Sequence, residues 1–123
     1  MKFEKEAAAS AQAAHRHLRV QTSIQDEIGA ILRDDTTDPD LEGVRVTALV
    51  LSPDSKLARV HFTIPKGRER GAVERALGRA TSFIRGRLAE SVELKRTPDL
   101  RFIFEAEVGD DPDTSPSSKR GEG

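Results

Sequence analysis

Several residue types that would point to a particular class of protein are absent or scarce in this chain. Its 123 residues include no cysteine, tryptophan or tyrosine and only five phenylalanines. Without cysteine, neither disulfides nor thiolate metal sites can form. With so few aromatic side chains, most of them in core-like patterns, stacking of unpaired bases on aromatic rings is not expected. Any contact with nucleic acid should therefore involve backbone phosphates and shape.

Long apolar runs and known catalytic motifs are also missing. No run approaches the roughly 20 residues that cross a bilayer, and the alanine-rich start lacks the apolar centre of a secretory signal. Phosphate-binding glycine loops, nucleophile elbows and zinc-protease helices do not occur. His15, His17 and His61 lack the spacing of a metal site. We expect a cytoplasmic, monomeric protein that has no enzymatic activity, metal, cofactor, small-molecule substrate or membrane partner.

Charge is distributed unevenly, although the formal net charge is only −1. Residues 66–101 contain ten basic and five acidic residues, a net charge of +5. Residues 34–54 contain six acidic residues and one basic residue, and five of the acids lie in 34–42, which we call the acidic turn. Its spacing is not that of an EF-hand calcium loop. A basic stretch attracts polyanions, and an acidic stretch elsewhere helps to orient the protein on them.

Hydrophobic periodicity predicts a helix, two strands, a kinked helix pair and a last strand. Spacings of three and four predict a helix over 15–34, which residues 6–14 extend or leave frayed. Alternation predicts strands at 44–52 and 57–64, joined as an antiparallel hairpin. The residues expected on their outer, polar face are Arg45, Thr47, Arg59, His61 and Thr63. A sheet with one solvent-exposed face indicates a two-layer α+β domain, with all helices on the other side of a three-stranded sheet.

The second helical pattern, about residues 70–91, has an irregular phase. On one unbroken helix, Arg87 would fall within the apolar stripe. The pattern therefore predicts a kink at Ala80, Thr81 and Ser82, with Phe83 joining the core. After this helix, Pro98 opens a last strand in which alternate residues face inward. The expected organisation is a flexible segment at 1–14, one domain at 15–108 and a disordered tail at 109–123.

Small residues and arginines share the polar face of this second helix. Gly78, Ser82 and Gly86 lie opposite its apolar stripe, and arginines border them. Such a ridge lets a phosphate backbone approach, and arginine suits bidentate phosphate contact. The alternative is a solvated face on which each glycine costs roughly 1 kcal/mol. The candidate RNA-binding residues are Arg75, Arg79, Ser82, Arg85, Arg87 and Lys95, with Arg16 and Arg19 on the first helix.

The order of these motifs resembles that of the bacterial ribosome-binding factor A (RbfA) family. The resemblance extends over about residues 16–106. It rests on Arg19-Val20, Ile24, Glu27-Ile28, Ile31-Leu32, Asp38-Pro39, Leu41, Val46-Thr47, Ser52, Asp54, Ala58, Val60, Ser82-Phe83-Ile84-Arg85, Leu88, Pro98, Leu100 and Phe102. The resemblance implies a type II KH-like fold in which an Ala-x-Gly kink replaces the usual GXXG loop. That kink maps to Ala80-Thr81-Ser82, where serine replaces the family's glycine.

The resemblance also implies a function. Members are non-enzymatic assembly factors that bind the free small (30S) ribosomal subunit and its 16S rRNA, and support late maturation and processing of the 16S rRNA 5′ end. We expect the same role here. The alternative is a protein-interaction module that docks through the acidic turn or the outer sheet face, without direct RNA contact.

Overall fold

Two helices pack on a three-stranded sheet in the computed structural model, which describes residues 2–92 and 94–109, with side chains described from residue 11 onward. This arrangement confirms the predicted α+β class. The elements in chain order are α1 (Lys2–Ala30), a π-helical turn (Ile31–Asp35), a 3-10 turn (Pro39–Leu41), β1 (Arg45–Leu51), β2 (Leu57–Pro65), α2 (Arg70–Ser91) and β3 (Asp99–Val108).

The sheet has the strand order β1-β2-β3. The β1 and β2 strands pair antiparallel, which confirms the predicted hairpin, and β2 and β3 pair parallel. Parallel neighbours require a crossover connection, and α2 provides it. The crossover places the loop after α2 at the same end of the sheet as the β1–β2 turn, where the Asp99 amide donates to the Lys56 carbonyl at 2.9 Å. These two connections therefore lie side by side.

The core fills the space between the helices and the inner sheet face. Phe62 at the centre of β2 is fully buried and meets Phe102 and Phe104 edge to face, with ring centroids 6.5 and 6.0 Å apart. Edge-to-face aromatic pairs add about 0.5–1.5 kcal/mol beyond the area they bury. Ile24 and Ile28 of α1 complete this layer and are fully buried. The inward alternation predicted for the last strand is confirmed, since Phe102 and Phe104 pack against the core.

The strand pairing of the sheet is irregular at two places. A register shift between Val46 and Ala48 changes the phase of β1, so that Leu49 is buried while Val50 is 48% exposed. A second shift lies between Phe62 and Thr63 in the pairing with β3, and Thr63 is only 7% exposed. Thr63 nevertheless keeps its predicted outward direction, because side chains alternate along β2 and both of its neighbours, Phe62 and Ile64, are buried in the core. Alternation alone does not reveal an extra residue in a strand, because a bulge exchanges inside and outside beyond it.

The first helix is longer than its apolar pattern indicates. It begins at Lys2, well before residue 15, and continues through the π-helical turn to Asp35. Residues 11–16 are exposed on all sides, so helix propensity rather than core packing accounts for this part. The predicted segment and domain boundaries at 14 and 108 remain predictions, and most of the predicted tail, residues 110–123, lies outside the described residues.

The second helix is continuous from Arg70 to Ser91, so the expected helix pair forms one helix, and a kink at 80–82 within it remains a prediction. Among the described residues other than glycine, only Ser55 has a positive φ, so Ser82 has ordinary helical geometry. The Thr81 hydroxyl donates to the Leu77 carbonyl at 2.9 Å, a contact that often bends helices without breaking them. Phe83, predicted for the core, is 43% exposed. The irregular phase of the apolar pattern thus has a different cause, given below.

Candidate nucleic-acid interface

The ridge of small residues on α2 is an open surface. Gly78, Ser82 and Gly86 are all exposed. A Cβ atom built on either glycine would meet nothing within 4 Å. A phosphate backbone could therefore approach this helix closely. The arginines that border the ridge, however, are not freely available, because other residues of the protein contact them.

Arg79 is held by the acidic turn. Its Nη2 donates to Asp38 Oδ2 at 2.9 Å and lies 3.8 Å from Asp40 Oδ2. The hydrogen bond from Arg79, together with one from the Asp40 amide, lowers the pKa of Asp38 below its ordinary value. The ionised Asp38 therefore competes with any phosphate for this arginine.

Arg87 bridges the ends of the two helices. Its Nη2 lies 3.1 Å from Asp35 Oδ2 at the end of the π-helical turn, and its guanidinium carbon lies 5.7 Å from the Phe83 ring centroid. This contact explains the irregular phase of α2. Arg87 lies at the edge of the apolar stripe because an acidic partner beyond the end of α1 meets it there, and no reset of the helix is needed. The residues at 31–35 that supply this partner follow the last regular turn of α1.

Arg85 has a structural contact. Its Nε donates to the Pro98 carbonyl at 3.1 Å and its Nη2 to the Thr97 carbonyl at 3.0 Å, while Asp99 Oδ1 lies 3.7 Å away. A planar guanidinium with a fixed fork of donors can satisfy two successive carbonyls at once. The side chain thereby anchors the loop before β3 to α2. The remaining α2 candidate, Arg75, lies 3.6 Å from Glu69 in a pair whose members are both largely exposed.

A second group of cations has no comparable partners. Arg16, Arg19 and Lys95 are exposed, and within the described part of the chain no acidic side chain lies within 4.0 Å of their charged groups. Arg96 belongs with them by the same two criteria, although the sequence pattern did not single it out. Its place in the sequence could have indicated Arg96, because this residue directly follows Lys95 in the polar loop after the apolar stripe of α2. The structure brings Arg16, Lys95 and Arg96 to one place.

That place is a groove of about 500 Å³, which we call the α1 groove. It lies between α1, the β1–β2 turn and the loop at 94–98. Its apolar floor includes Val20, Leu51 and Leu94, and its rim carries Arg16, Lys95 and Arg96. Arg19 lies beside it, in a smaller depression on α1 that Arg16 also lines.

One carboxylate, Asp54, also lines the α1 groove. Its Oδ1 accepts from the Ser52 hydroxyl at 2.7 Å and from the Lys56 amide at 3.0 Å. These contacts, with the Ser52 bond the largest cause, lower the pKa of Asp54 below its ordinary value. The carboxylate thus belongs to the β1–β2 turn and does not pair with the cations of the groove.

The outer sheet face carries a further basic pair. Arg59 and Arg101 lie directly opposite each other on β2 and β3, and both are exposed. Like charges at directly opposed positions destabilise a sheet, so the pair has no stabilising role of its own. Strand alternation predicted the outward direction of Arg59 but did not identify its cross-strand partner. Further along this face, Glu105 lies 3.1 Å from His61 Nδ1 and accepts from Thr47 at 3.0 Å.

The described residues offer neither a metal cluster nor a membrane span. Within 2–92 and 94–109 there is no group of three or more side chains placed to hold a metal ion. None of the helices in the described part has the length and apolar content needed to cross a bilayer.

Comparisons with known proteins agree on one family. The family model described as ribosome-binding factor A matches residues 16–112. A ribosome-binding factor A from Ruthia magnifica is 37% identical over 95 residues, which cover 77% of this chain and 84% of the relative. One from a Bradyrhizobium species is 38% identical over 97 residues, which cover 76% of this chain and 70% of the relative.

Solved structures show the same similarity. The crystal structure of ribosome-binding factor A from Thermus thermophilus matches with a TM-score of 0.57 and 31% identity, covering 74% of this chain and 92% of that one. A homology model of the Thermus thermophilus protein, fitted into the cryo-EM map of a complex with the 30S subunit, matches with a TM-score of 0.52 and 31% identity. The match covers 73% of this chain and 91% of that one.

Proposed function

Because this chain belongs to the ribosome-binding factor A family, we propose that it binds the free 30S ribosomal subunit through its 16S rRNA. The proposed role is that of a non-enzymatic assembly factor acting late in maturation of the subunit, with support for processing of the 16S rRNA 5′ end. The 30S complex of the Thermus thermophilus relative supports the choice of subunit.

The observation that carries the RNA contact is the group of unpaired cations. Arg16, Arg19 and Lys95 are exposed on neighbouring elements, and no described carboxylate lies within 4.0 Å of their charged groups. Cations without acidic partners can bind phosphate without first breaking an internal ion pair. Phosphate contacts of this kind supply most of the affinity in RNA binding and make it depend on salt.

The α2 candidates form a second set in this proposal. Arg75 and Arg79 border the open ridge around Ser82 and Arg87 lies at the edge of the apolar stripe, but each has an acidic neighbour. To contact RNA, each of these arginines would have to exchange a carboxylate for a phosphate. The net gain in binding free energy per residue is therefore smaller than for a cation without an acidic neighbour. Arg85, which donates to two backbone carbonyls, has the least freedom to reach RNA.

The protein-interaction alternative receives uneven support. Docking through the acidic turn would have to compete with Arg79 and Arg87 for Asp38 and Asp35. The outer sheet face has exposed Val50 and the opposed pair Arg59 and Arg101. An RNA-independent partner would therefore be expected on the sheet face rather than at the acidic turn.

Sedimentation with purified subunits tests the proposal. We expect the protein to associate with free small subunits and not with large subunits or whole ribosomes. Combining Arg16→Ala with Arg19→Ala should lower affinity about tenfold and reduce the slope of log affinity against log salt by about two, since two phosphate contacts are lost. The role in maturation would appear as 16S rRNA with an unprocessed 5′ end, measured by primer extension, in cells that carry only this variant.

A matched control removes the same charge elsewhere. Arg33 and Lys66 are exposed and lie outside both basic sets, so Arg33→Ala with Lys66→Ala should weaken binding only slightly. Equal losses in the two double variants would mean that net charge alone matters. No association of the unmodified protein with free small subunits would refute the assignment itself.

A further inference from the structure

We propose that the α1 groove binds one unpaired RNA nucleotide, with the base on the apolar floor and its phosphate among Arg16, Lys95 and Arg96. The proposal rests on the proposed RNA binding and adds to it a specific subsite and a strand type. It places a single-stranded segment of RNA, rather than a duplex, against α1 and the loop at 94–98.

The dimensions of the groove suit such a ligand. Its volume of about 500 Å³ lies within the roughly 300–1,000 Å³ of typical small-ligand sites. The floor consists of aliphatic side chains, of which Leu51 is buried while Val20 and Leu94 are half-buried. A planar base placed there would cover apolar surface that is now partly open to water. This contact requires no aromatic ring, which fits a chain without tryptophan or tyrosine.

Charge complementarity argues for a nucleotide rather than an uncharged ligand. Three cations stand on the rim, and Asp54, the one carboxylate among the described residues that line the groove, is engaged by the Ser52 hydroxyl and the Lys56 amide. No described acidic side chain forms an ion pair with the three cations. An apolar floor beside unpaired cations is complementary to an apolar base joined to an anionic phosphate. A duplex would present its phosphates but keep its bases stacked away from the floor.

The groove walls are held in place by contacts within the protein. His17 Nε2 donates to the Leu51 carbonyl at 3.1 Å, and Gln21 Oε1 accepts from the Leu51 amide at 2.9 Å, which fix β1 to α1. Arg85 fixes the opposite wall through the carbonyls of the loop before β3. Ser55 lines the groove with a φ of 62°, a left-handed conformation that is uncommon for serine. A prearranged site of this kind loses little freedom on binding.

The groove is also separate from the ridge on α2. Ser82 lies nine residues before the end of α2, about 13 Å along the helix axis, and it does not line the groove. A single strand reaching both places would cross the C-terminal half of α2. The two sites can therefore be tested independently.

Ala13 and Ala14 provide a matched pair of test positions. Both are exposed on α1, and only Ala13 lines the α1 groove. Ala13→Glu places a carboxylate one helical turn from Arg16, where it would pair with that cation and repel phosphate. Ala14→Glu makes the same change of charge on a neighbouring face. The probe is a short fluorescein-labelled oligouridylate, with binding followed by anisotropy at moderate salt.

We expect Ala13→Glu to weaken binding of the oligouridylate about tenfold and Ala14→Glu less than about threefold. An abasic oligomer of the same length should bind the unmodified protein more weakly than the oligouridylate. Ala13→Glu should then reduce the affinity for this abasic oligomer by a smaller factor than the affinity for the oligouridylate, because the abasic oligomer has no base contact to lose. A double-stranded RNA of equal length should respond equally to the two variants.

Three results would overturn the subsite. The two variants could behave alike, the abasic oligomer could bind as tightly as the oligouridylate, or the duplex could be the preferred ligand of the groove. Sedimentation with free small subunits is run in parallel. If the unmodified protein binds the subunits while any of these three results is obtained, the subsite is wrong and the proposed function stands. If it binds neither the subunits nor the oligouridylate, both fail.

Discussion

The arginines of α2 and the cations around the α1 groove are similar in number and differ in their surroundings. Arg79 and Arg87 have carboxylates 2.9 and 3.1 Å away, supplied by the segment that follows α1. Arg16 and Lys95 have no such neighbour among the described residues. The stretch with the higher density of positive charge in the sequence is thus the one that the fold neutralises more. The net charge of a sequence segment therefore does not predict how much positive charge the folded surface makes available to a ligand.

The difference follows from where the acidic turn lies. Residues 34–42 link the end of α1 to β1, and this link passes alongside α2. The −5 and +5 segments of the sequence therefore meet, although we expected the acidic stretch to lie away from the basic one. Exposed ion pairs contribute about 0–1 kcal/mol each to stability, so these contacts do more to reduce the local field than to hold the fold. We therefore expect phosphate to bind at the groove cations rather than at the arginines of α2.

The largest expected effect concerns an α2 arginine with a structural role. Arg85→Ala removes two hydrogen bonds to the Thr97 and Pro98 carbonyls and should lower the free energy of unfolding by about 1–2 kcal/mol. Thermal melting should show a decrease of roughly 4–8 °C per kcal/mol. Arg75→Ala removes only an exposed pair and should change stability by less than about 0.5 kcal/mol. A similar melting temperature for the two variants would show that Arg85 is no more structural than its neighbours.

A smaller effect is expected when Asp38 of the acidic turn no longer pairs with Arg79. Asp38→Asn removes the carboxylate 2.9 Å from Arg79 but keeps the Oδ1 acceptor used by the Asp40 amide. Affinity for free small subunits at low salt should rise a few-fold, because phosphate no longer competes with this carboxylate. Asp26→Asn makes the same change of charge at an exposed residue of α1 and should have less effect. If both variants raise affinity equally, the pairing of Arg79 is irrelevant to binding.

Much of the fold could be predicted from the sequence because its elements are strongly periodic. The hairpin, the inward face of the last strand and the extent of the second helix follow from local patterns of apolar residues. The two register shifts of the sheet were missed, since they depend on the pairing of strands and not on the local apolar pattern. The kink was predicted because Arg87 did not fit the apolar stripe. That misfit reflected a tertiary partner, Asp35, which is 52 positions away in the chain.

The candidate site was less predictable than the fold for a related reason. Residue type and spacing identified Arg16, Arg19 and Lys95 as basic and exposed, but not which cations lack acidic partners. Pairing depends on side-chain distances that only the folded chain defines. Arg96 and the opposed Arg59 and Arg101 were missed because a loop and two separate strands bring them into place. The assignment of these residues to RNA binding remains a prediction.

The smallest expected effect tests whether Asp54 belongs to the turn or to the groove cations. Its pKa is lowered by the Ser52 hydroxyl and the Lys56 amide, so its ionised form stabilises the folded state above the ordinary pKa of 3.8. That stabilisation decreases as the pH falls through the lowered, folded-state pKa. Asp54→Asn should therefore melt below the unmodified protein at neutral pH, and the gap should close under acidic conditions. Asp26→Asn makes the same change of charge at an exposed residue of α1 and serves as the control. If adding salt at neutral pH closed the gap for Asp54→Asn, the carboxylate would be acting through long-range attraction to the groove cations, and the contrast between paired and unpaired cations would be weaker than the distances indicate.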